Sequence, residues 1–91
     1  MQRRGRQIQT ASLQEKAIGA AVSDCRGQSG ISQEELAERC GFDRTYISRV
    51  ERGILNPTAI RLWKIADVLE IPFHQMVRRM EGWLNEHAKK T

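Results

Sequence analysis

The chain has 91 residues, of which 15 are lysine or arginine and 11 are aspartate or glutamate, so its formal net charge at pH 7 is +4. This length supports one domain with a modest core and leaves no room for a second, catalytic domain. Arg3, Arg4 and Arg6 supply three of the four excess charges, so the net charge alone is weak support for a polyanionic partner.

Residues 1–11 lack any usable periodicity and carry glycine among arginines, which predicts a basic, flexible tail. The alternative is an arm that gains affinity from DNA phosphates or the minor groove. The basic start is not followed by the apolar core of a signal peptide, and no apolar run approaches the roughly 18 residues of a membrane span. We therefore expect a cytoplasmic protein without a membrane partner.

The first predicted helix runs from Ser12 to about Gln28. Its apolar positions follow helical spacing: Leu13, Ala17, either Ala20 or Ala21, and either Val22 or Cys25. Gly19 interrupts this pattern, and Gly27 and Gly30 mark the end of the helix.

Residues 32–57 predict two capped helices joined by a glycine turn. Ser32 and Glu35 have the spacing of a reciprocal capping box, and Gly41 has the position of a left-handed C-cap. Between these caps, one apolar stripe is formed by Leu36, Ala37 and Cys40.

Asp43 is the predicted N-cap of the next helix, in which Ile47 and Val50 face inward together. Gly53 and the pair Asn56-Pro57 end the unit, because the residue before proline is disfavoured in the α region. Two short capped helices in this order form a helix-turn-helix, which makes double-stranded DNA the leading partner.

Thr58 can cap a fourth helix, whose apolar residues Leu62, Ile65, Ala66 and Leu69 form an i, i+3, i+4, i+7 stripe. Pro72 opens a fifth helix. Strand-like alternation is missing from the whole sequence, so we predict an all-α fold of five helices. The predicted domain spans residues 12–88, and residues 89–91 form a tail.

The fifth helix is longer than a minimal domain needs, and its late apolar residues have little core left to cover. We predict that it forms a homodimer interface through Phe73, Met76, Val77, Met80, Trp83 and Leu84. The alternative is that these side chains fold back on the first helix. Ile60 and Trp63 lie off the buried stripe of the fourth helix. We expect either that both form a further contact patch or that Trp63 packs against the fifth helix.

The strings SQEELAERCG, YISRVERG and LWKIADVLEIP, in this order, resemble the Cro and phage-repressor type of helix-turn-helix regulators, also called the xenobiotic-response-element family. The resemblance covers roughly residues 18–77. FDRTYISRVERG also resembles the recognition segment of restriction-modification controller proteins. The resemblance implies a sequence-specific transcriptional regulator, a repressor or a controller protein.

If the domain docks as this motif usually does, the second helix of the motif enters the major groove. The expected base contacts are Arg44, Thr45, Ser48 and Arg49, and the two arginines can each donate twice to guanine. The expected contacts to the DNA backbone are Gln33, Tyr46, Arg52 and Asn56. The family also pairs an arginine with a glutamate, which here implies a structural ion pair between Arg26 and Glu51; a solvated, unpaired Glu51 is the alternative.

Cys25 and Cys40 lack Cys-x-x-Cys spacing, and His74 and His87 are distant from both in sequence, so a metal site is not expected. A core role for Cys40 is favoured over a redox-switch disulfide. Neither a phosphate-binding glycine loop nor a catalytic constellation occurs, so we expect no enzyme activity, no cofactor and no small-molecule ligand.

These observations predict a regulator that binds a palindromic operator as a homodimer, with half-sites centred about 10 bp apart or a multiple of that spacing. The competing interpretation is a protein-interaction module such as an antitoxin, which binds a partner protein and regulates its own gene. Ile60, Trp63 and Trp83 motivate this alternative, because large apolar side chains on a surface favour protein contacts.

Overall fold

The computed structural model describes residues 12–88. Within this range the chain forms five helices and no strand, which confirms the predicted all-α class: α1 (Leu13–Ser29), α2 (Gln33–Cys40), α3 (Arg44–Glu51), α4 (Ala59–Val68) and α5 (Phe73–Ala88). The predicted tails at residues 1–11 and 89–91 lie outside the described residues.

The helix N-termini are fixed by side-chain caps. At α1, Ser12 and Glu15 form a reciprocal capping box, with each side chain accepting from the other residue's backbone N–H. At α2, Ser32 accepts from the N–H of Glu35, but the Glu35 carboxylate pairs with Arg39 instead of reaching back. The capping box predicted at Ser32 is therefore only half formed.

The two glycine turns that flank α2 adopt left-handed backbone geometry. Gly30 ends α1 with φ 74°, and Gly41 ends α2 with φ 76°. Side chains with a Cβ disfavour this region, so these positions suit glycine. Gly27 was also expected to mark the end of α1, but the helix continues past it to Ser29.

The core is formed by the predicted stripes of α2, α3 and α4 together with one face of α1. The largest fully buried side chains are Val22, Leu36, Ile47, Val50, Ile65 and Met76. Leu13 was predicted on the apolar face of α1, but it is 37% exposed because it lies in the first turn, beyond the edge of the core.

Helix α5 packs along α1. The side chain of Met76 is completely buried in the shared core, and Met80 packs against the same cluster. At the surface, Arg79 bridges the two helices by donating to the Asp24 carboxylate and to the side-chain oxygen of Gln28. Much of the apolar face of α5 is thus covered within one chain.

Across residues 12–88, none of the helices is long and apolar enough to cross a membrane.

Gly19 is the point at which α1 approaches the end of α3 most closely. A Cβ at this position would lie 2.4 Å from the carbonyl oxygen of Val50 and 2.6 Å from that of Glu51. Contacts this short to backbone atoms cannot be relieved by a side-chain rotation. Gly19 interrupts the apolar spacing of α1 but not the helix: the residue is buried in a continuous helix and sets its distance to α3.

We expect Gly19→Ala to lower the free energy of unfolding by roughly 1–3 kcal/mol, because the added methyl group pushes α1 away from the end of α3. Gly27→Ala is the matched control on the same helix, since its Cβ would meet no atom within 4 Å. It should raise stability by roughly 0.5–1 kcal/mol through helix propensity. Chemical denaturation measures both changes, and equal effects at the two sites would contradict the close approach.

Candidate nucleic-acid interface

Helix α3 has a rigid inner face and a polar outer face. Asp43 caps its N-terminus by accepting from the N–H of Thr45 at 3.0 Å, and Ile47 and Val50 are completely buried. Because successive residues of a helix turn by about 100°, these two anchors direct the opposite positions outward together. The cap and the two anchors fix both the start and the rotation of the helix.

The predicted base-contacting residues occupy this outer face. Arg44, Thr45 and Arg49 are exposed, and Ser48 is half-buried between them. Arg44 lies on the edge of the face nearest α2, where it lines a shallow groove with Ser32 and Glu34. The described part of the chain gives neither of these arginines an ion pair, so both guanidinium groups are free to donate to a ligand.

The C-terminal end of α3 is held by a network that we call the Glu51 network, formed by Arg26, Gln33 and Glu51. The Nε of Arg26 donates to Glu51 Oε2 at 2.7 Å, and its Nη2 donates to Oε1 at 3.0 Å. The amide nitrogen of Gln33 also donates to Oε1, at 2.8 Å. The carboxylate therefore receives three hydrogen bonds from two other helices.

Burial makes this network strong. The Glu51 side chain is only 5% exposed and that of Arg26 is 20% exposed. A further hydrogen bond joins Arg26 Nη1 to the carbonyl oxygen of Ile31 at 2.9 Å. The hydrogen bond to Glu51 raises the pKa of Arg26 above its usual value, against the opposing effect of burial. The pairing expected from the family resemblance is thus present, as a bidentate contact.

Gln33 lies at the first position of α2, as expected for a phosphate-contacting residue. Its side chain is half-buried, and one amide hydrogen is directed to Glu51. An amide nitrogen carries two hydrogens, so the second remains available to a ligand. Gln33 therefore couples any contact at the N-terminus of α2 to the end of α3.

Tyr46 does not fit its predicted role as a DNA-backbone contact. Its hydroxyl is buried and has no hydrogen-bond partner among the described residues, so a phosphate cannot reach it in this conformation. The ring packs edge-on against Phe42, with centroids 5.2 Å apart, and the guanidinium of Arg61 lies 5.0 Å from its centre. Tyr46 is tied to the turn and to α4 instead.

Arg52 and Asn56, the other two predicted backbone contacts, are both exposed. Arg52 is the C-cap of α3, and Asn56 lies in the loop that leads to α4. Between them, Gly53 has φ 76° and approaches the backbone of Lys16. The start of this loop is therefore anchored on α1, which holds the position of Arg52.

The predicted dimer residues of α5 comprise one buried residue and five half-buried ones. The prediction is wrong for Met76, because a completely buried side chain offers no surface to a partner. Phe73 stacks on Trp63 at 4.5 Å and Trp83 stacks on His87 at 3.7 Å. The remaining half-buried members are Phe73, Val77, Met80, Trp83 and Leu84.

Part of α5 does fold back on α1, as the alternative interpretation had it. Trp83 lines a groove with Ala20, Asp24 and Arg79 at the contact between the two helices. On α4, Trp63 leans on the start of α5 but remains 52% exposed, and Ile60 is 76% exposed.

Cys25 and Cys40 are buried free thiols, and burial raises the pKa of both.

Three features of the structure are not predictable from the local sequence. They are the close approach at Gly19, the bridge from Arg79 to α1, and the position of Arg61 over two aromatic rings. Each joins residues that are far apart in the chain, so local periodicity carries no signal for it.

Comparisons with known proteins agree with this architecture. The helix-turn-helix family model, HTH_3, matches residues 22–75. An uncharacterized HTH-type transcriptional regulator of Sinorhizobium fredii, y4dJ, is 37% identical over 62 residues, which cover 68% of this chain and 80% of that protein. The chain spans less of other relatives: 49% of a hypothetical transcription factor of Neisseria meningitidis and 59% of the SinR regulator of Bacillus licheniformis.

Solved structures share the fold over most of the chain. The clp gene regulator ClgR of Corynebacterium glutamicum superposes with a TM-score of 0.83 at 25% identity, covering 89% of this chain and 86% of that one. The restriction-modification controller protein C.Esp1396I, solved as a tetramer with its natural 35 base-pair operator, gives a TM-score of 0.74 at 29% identity. That match covers 80% of this chain and 96% of the controller chain.

The Glu51 network predicts strong coupling between its charged members. We expect Arg26→Met and Glu51→Met each to cost roughly 2–3 kcal/mol, because each leaves a partly buried charge without its partner. The double variant should lose less than the sum of the two, by at least about 1 kcal/mol.

A double-mutant cycle by chemical denaturation measures this coupling. The exposed pair of Glu35 and Arg39 is the control, and it should couple by about 0.5 kcal/mol or less. Additive effects at Arg26 and Glu51 would contradict a coupled network.

The unpartnered hydroxyl of Tyr46 predicts the result of a second substitution. Tyr46→Phe should leave the free energy of unfolding unchanged or raise it by roughly 1 kcal/mol, because a buried hydroxyl without a partner costs stability. Phe42→Leu should instead destabilise, since it removes an aromatic ring from the contact. Thermal unfolding compares the two, and a clear loss of stability in Tyr46→Phe would show that the hydroxyl has a partner in solution.

Proposed function

The chain belongs to the helix-turn-helix family of transcriptional regulators, and on that premise we propose that it binds double-stranded operator DNA by inserting α3 into the major groove. The observation that carries the proposal is the outer face of α3, where Arg44, Thr45 and Arg49 are exposed on a helix that is capped, anchored and held by the Glu51 network. Rigid presentation of polar side chains is what direct readout of base edges requires.

The proposed contacts are of two kinds, those to base edges and those to phosphates. Arg44 and Arg49 can each donate two hydrogen bonds to guanine, and Thr45 can place its methyl group against thymine. Ser48 adds a hydroxyl between them. Gln33, Arg52 and Asn56 are proposed to meet phosphates and so to set the register of the protein on the duplex.

We further propose that the chain binds an inverted repeat as a homodimer through the exposed side of α5. Val77, Trp83 and Leu84 keep part of their surface uncovered in a single chain. A twofold dimer separates the two recognition helices by about 34 Å, one turn of DNA. The similar controller protein C.Esp1396I is a tetramer on its operator. By analogy, we propose that two dimers of this chain bind one operator when the operator is fully occupied.

The likeness to restriction-modification controller proteins supports a role in timing such genes, which we propose as the specific form of regulation. We also propose a cytoplasmic location, because similar transcriptional regulators come from bacteria, where the DNA lies in the cytoplasm. The antitoxin-like alternative is not favoured, because the family and the relatives are transcriptional regulators. Its motivating residues Trp63 and Trp83 also have stacking partners within the chain.

The test is selection of bound sequences from a random duplex pool, carried out with the wild-type chain and with single variants. The wild type should enrich an inverted repeat. Arg44→Ala and Arg49→Ala should each relax the preference at one position of the half-site, a loss of about 1–3 kcal/mol in discrimination, while Gln33→Ala should weaken all sequences about equally.

Arg39→Ala is the matched control. It removes the same charge from an exposed position on α2, away from the outer face of α3, and should leave the preferred sequence unchanged. If both α3 variants kept the wild-type preference, the proposed docking of α3 would be wrong.

A further inference from the structure

Arg61 is a cation whose bonding capacity is not used within the described chain. Its guanidinium lies 5.0 Å from the ring centre of Tyr46 and 5.5 Å from that of Phe42. Neither a hydrogen bond nor an ion pair joins the guanidinium to any residue in the range 12–88, and the residue is exposed. Five N–H donors are therefore held on an aromatic platform without an acceptor.

The position of Arg61 relative to α3 indicates which ligand its guanidinium can reach. On one edge of α3 lie α2 and the Glu51 network, with Gln33 at the helix start. Tyr46 follows Arg44 by two residues, about 200° around the helix, so it lies on the opposite edge, where Arg61 of α4 covers its ring. The two edges of the outer face are thus occupied by Gln33 on one side and by Arg61 on the other.

A helix in the major groove is bordered by a phosphate backbone on each side. The predicted phosphate contacts include Gln33 on the α2 side, but none of them lies on α4. Arg61 occupies that place, and it carries the side chain best suited to phosphate, with planar donors and a permanent charge.

We propose that Arg61 binds a DNA phosphate on the α4 side of α3, opposite Gln33, using the rings of Phe42 and Tyr46 to hold its guanidinium in place. The proposal rests on the docking of α3 proposed above and adds a second fixed point to it. Stacking restricts the long side chain before binding, so less entropy is lost when the phosphate arrives. Two phosphate contacts on opposite edges would fix the rotation of α3 in the groove.

The salt dependence of binding tests this role, because each neutralised phosphate contributes a slope of about 0.9 to the plot of log affinity against log salt concentration. Arg61→Ala should lower that slope by about 0.9 and weaken binding about tenfold at low salt, with the preferred sequence unchanged. Arg61→Lys keeps the charge but loses the planar stack, so it should keep most of the slope and bind more weakly than the wild type.

Arg39→Ala is the control, since Arg39 is an exposed arginine on α2, away from Arg61 and from the outer face of α3. It should leave the slope at the wild-type value. Thermal unfolding of all three variants separates a role in packing from a role in binding. If Arg61→Ala lowered the melting temperature and the affinity while keeping the wild-type slope, Arg61 would only cover the aromatic rings and the proposal would be wrong.

The same data keep this proposal distinct from the proposed function. Measurement on a random duplex reports phosphate contacts even without a preferred sequence. A wild type that enriches no sequence would overturn the regulator function, whatever the Arg61 slope. A wild type with an operator and an Arg61→Ala variant of unchanged slope would overturn only the role of Arg61.

Discussion

The Glu51 carboxylate is the point on which the arrangement of the helices depends. It lies at the last residue of α3 and accepts hydrogen bonds from Arg26 on α1 and from Gln33 on α2. Charge and burial together make this contact specific. A buried carboxylate that loses its hydrogen-bond donors strongly destabilises the folded state. The result is that three helices are joined by one set of hydrogen bonds at the C-terminal end of α3.

Close packing at Gly19 gives this set of contacts its geometry. The backbone of α1 approaches the carbonyl oxygens of Val50 and Glu51 so closely that only glycine fits. At the other end, Asp43 caps α3, and Phe42 and Tyr46 pack together under Arg61. Helix α3 is thus fixed at its start by a cap and an aromatic contact, and at its end by an ion pair and a backbone contact. Its polar outer face is left exposed.

Sequence reasoning was most successful where the determinants are local. The caps at Asp43 and Thr58 and the buried stripe of α4 follow from spacing within one helix, and the helix-turn-helix follows from two such helices in sequence. Reasoning failed where a residue is defined by a distant partner. Gly19 looks like a gap in the apolar pattern of α1 until the end of α3 is known, and Met76 looks like an interface residue until α5 is packed along α1. Tyr46 fits a phosphate contact in sequence, but its hydroxyl is buried in the folded chain.

The most direct test of this account measures operator affinity and stability together in the paired variant Arg26→Met with Glu51→Met. Replacement of both charges removes the ion pair without leaving an unpaired buried charge, so most of the stability should remain. Operator affinity should nevertheless fall at least about tenfold, a change of about 1.4 kcal/mol, because the orientation of α3 is no longer fixed. A folded double variant with wild-type affinity would contradict it and reduce the Glu51 network to a contribution to stability alone.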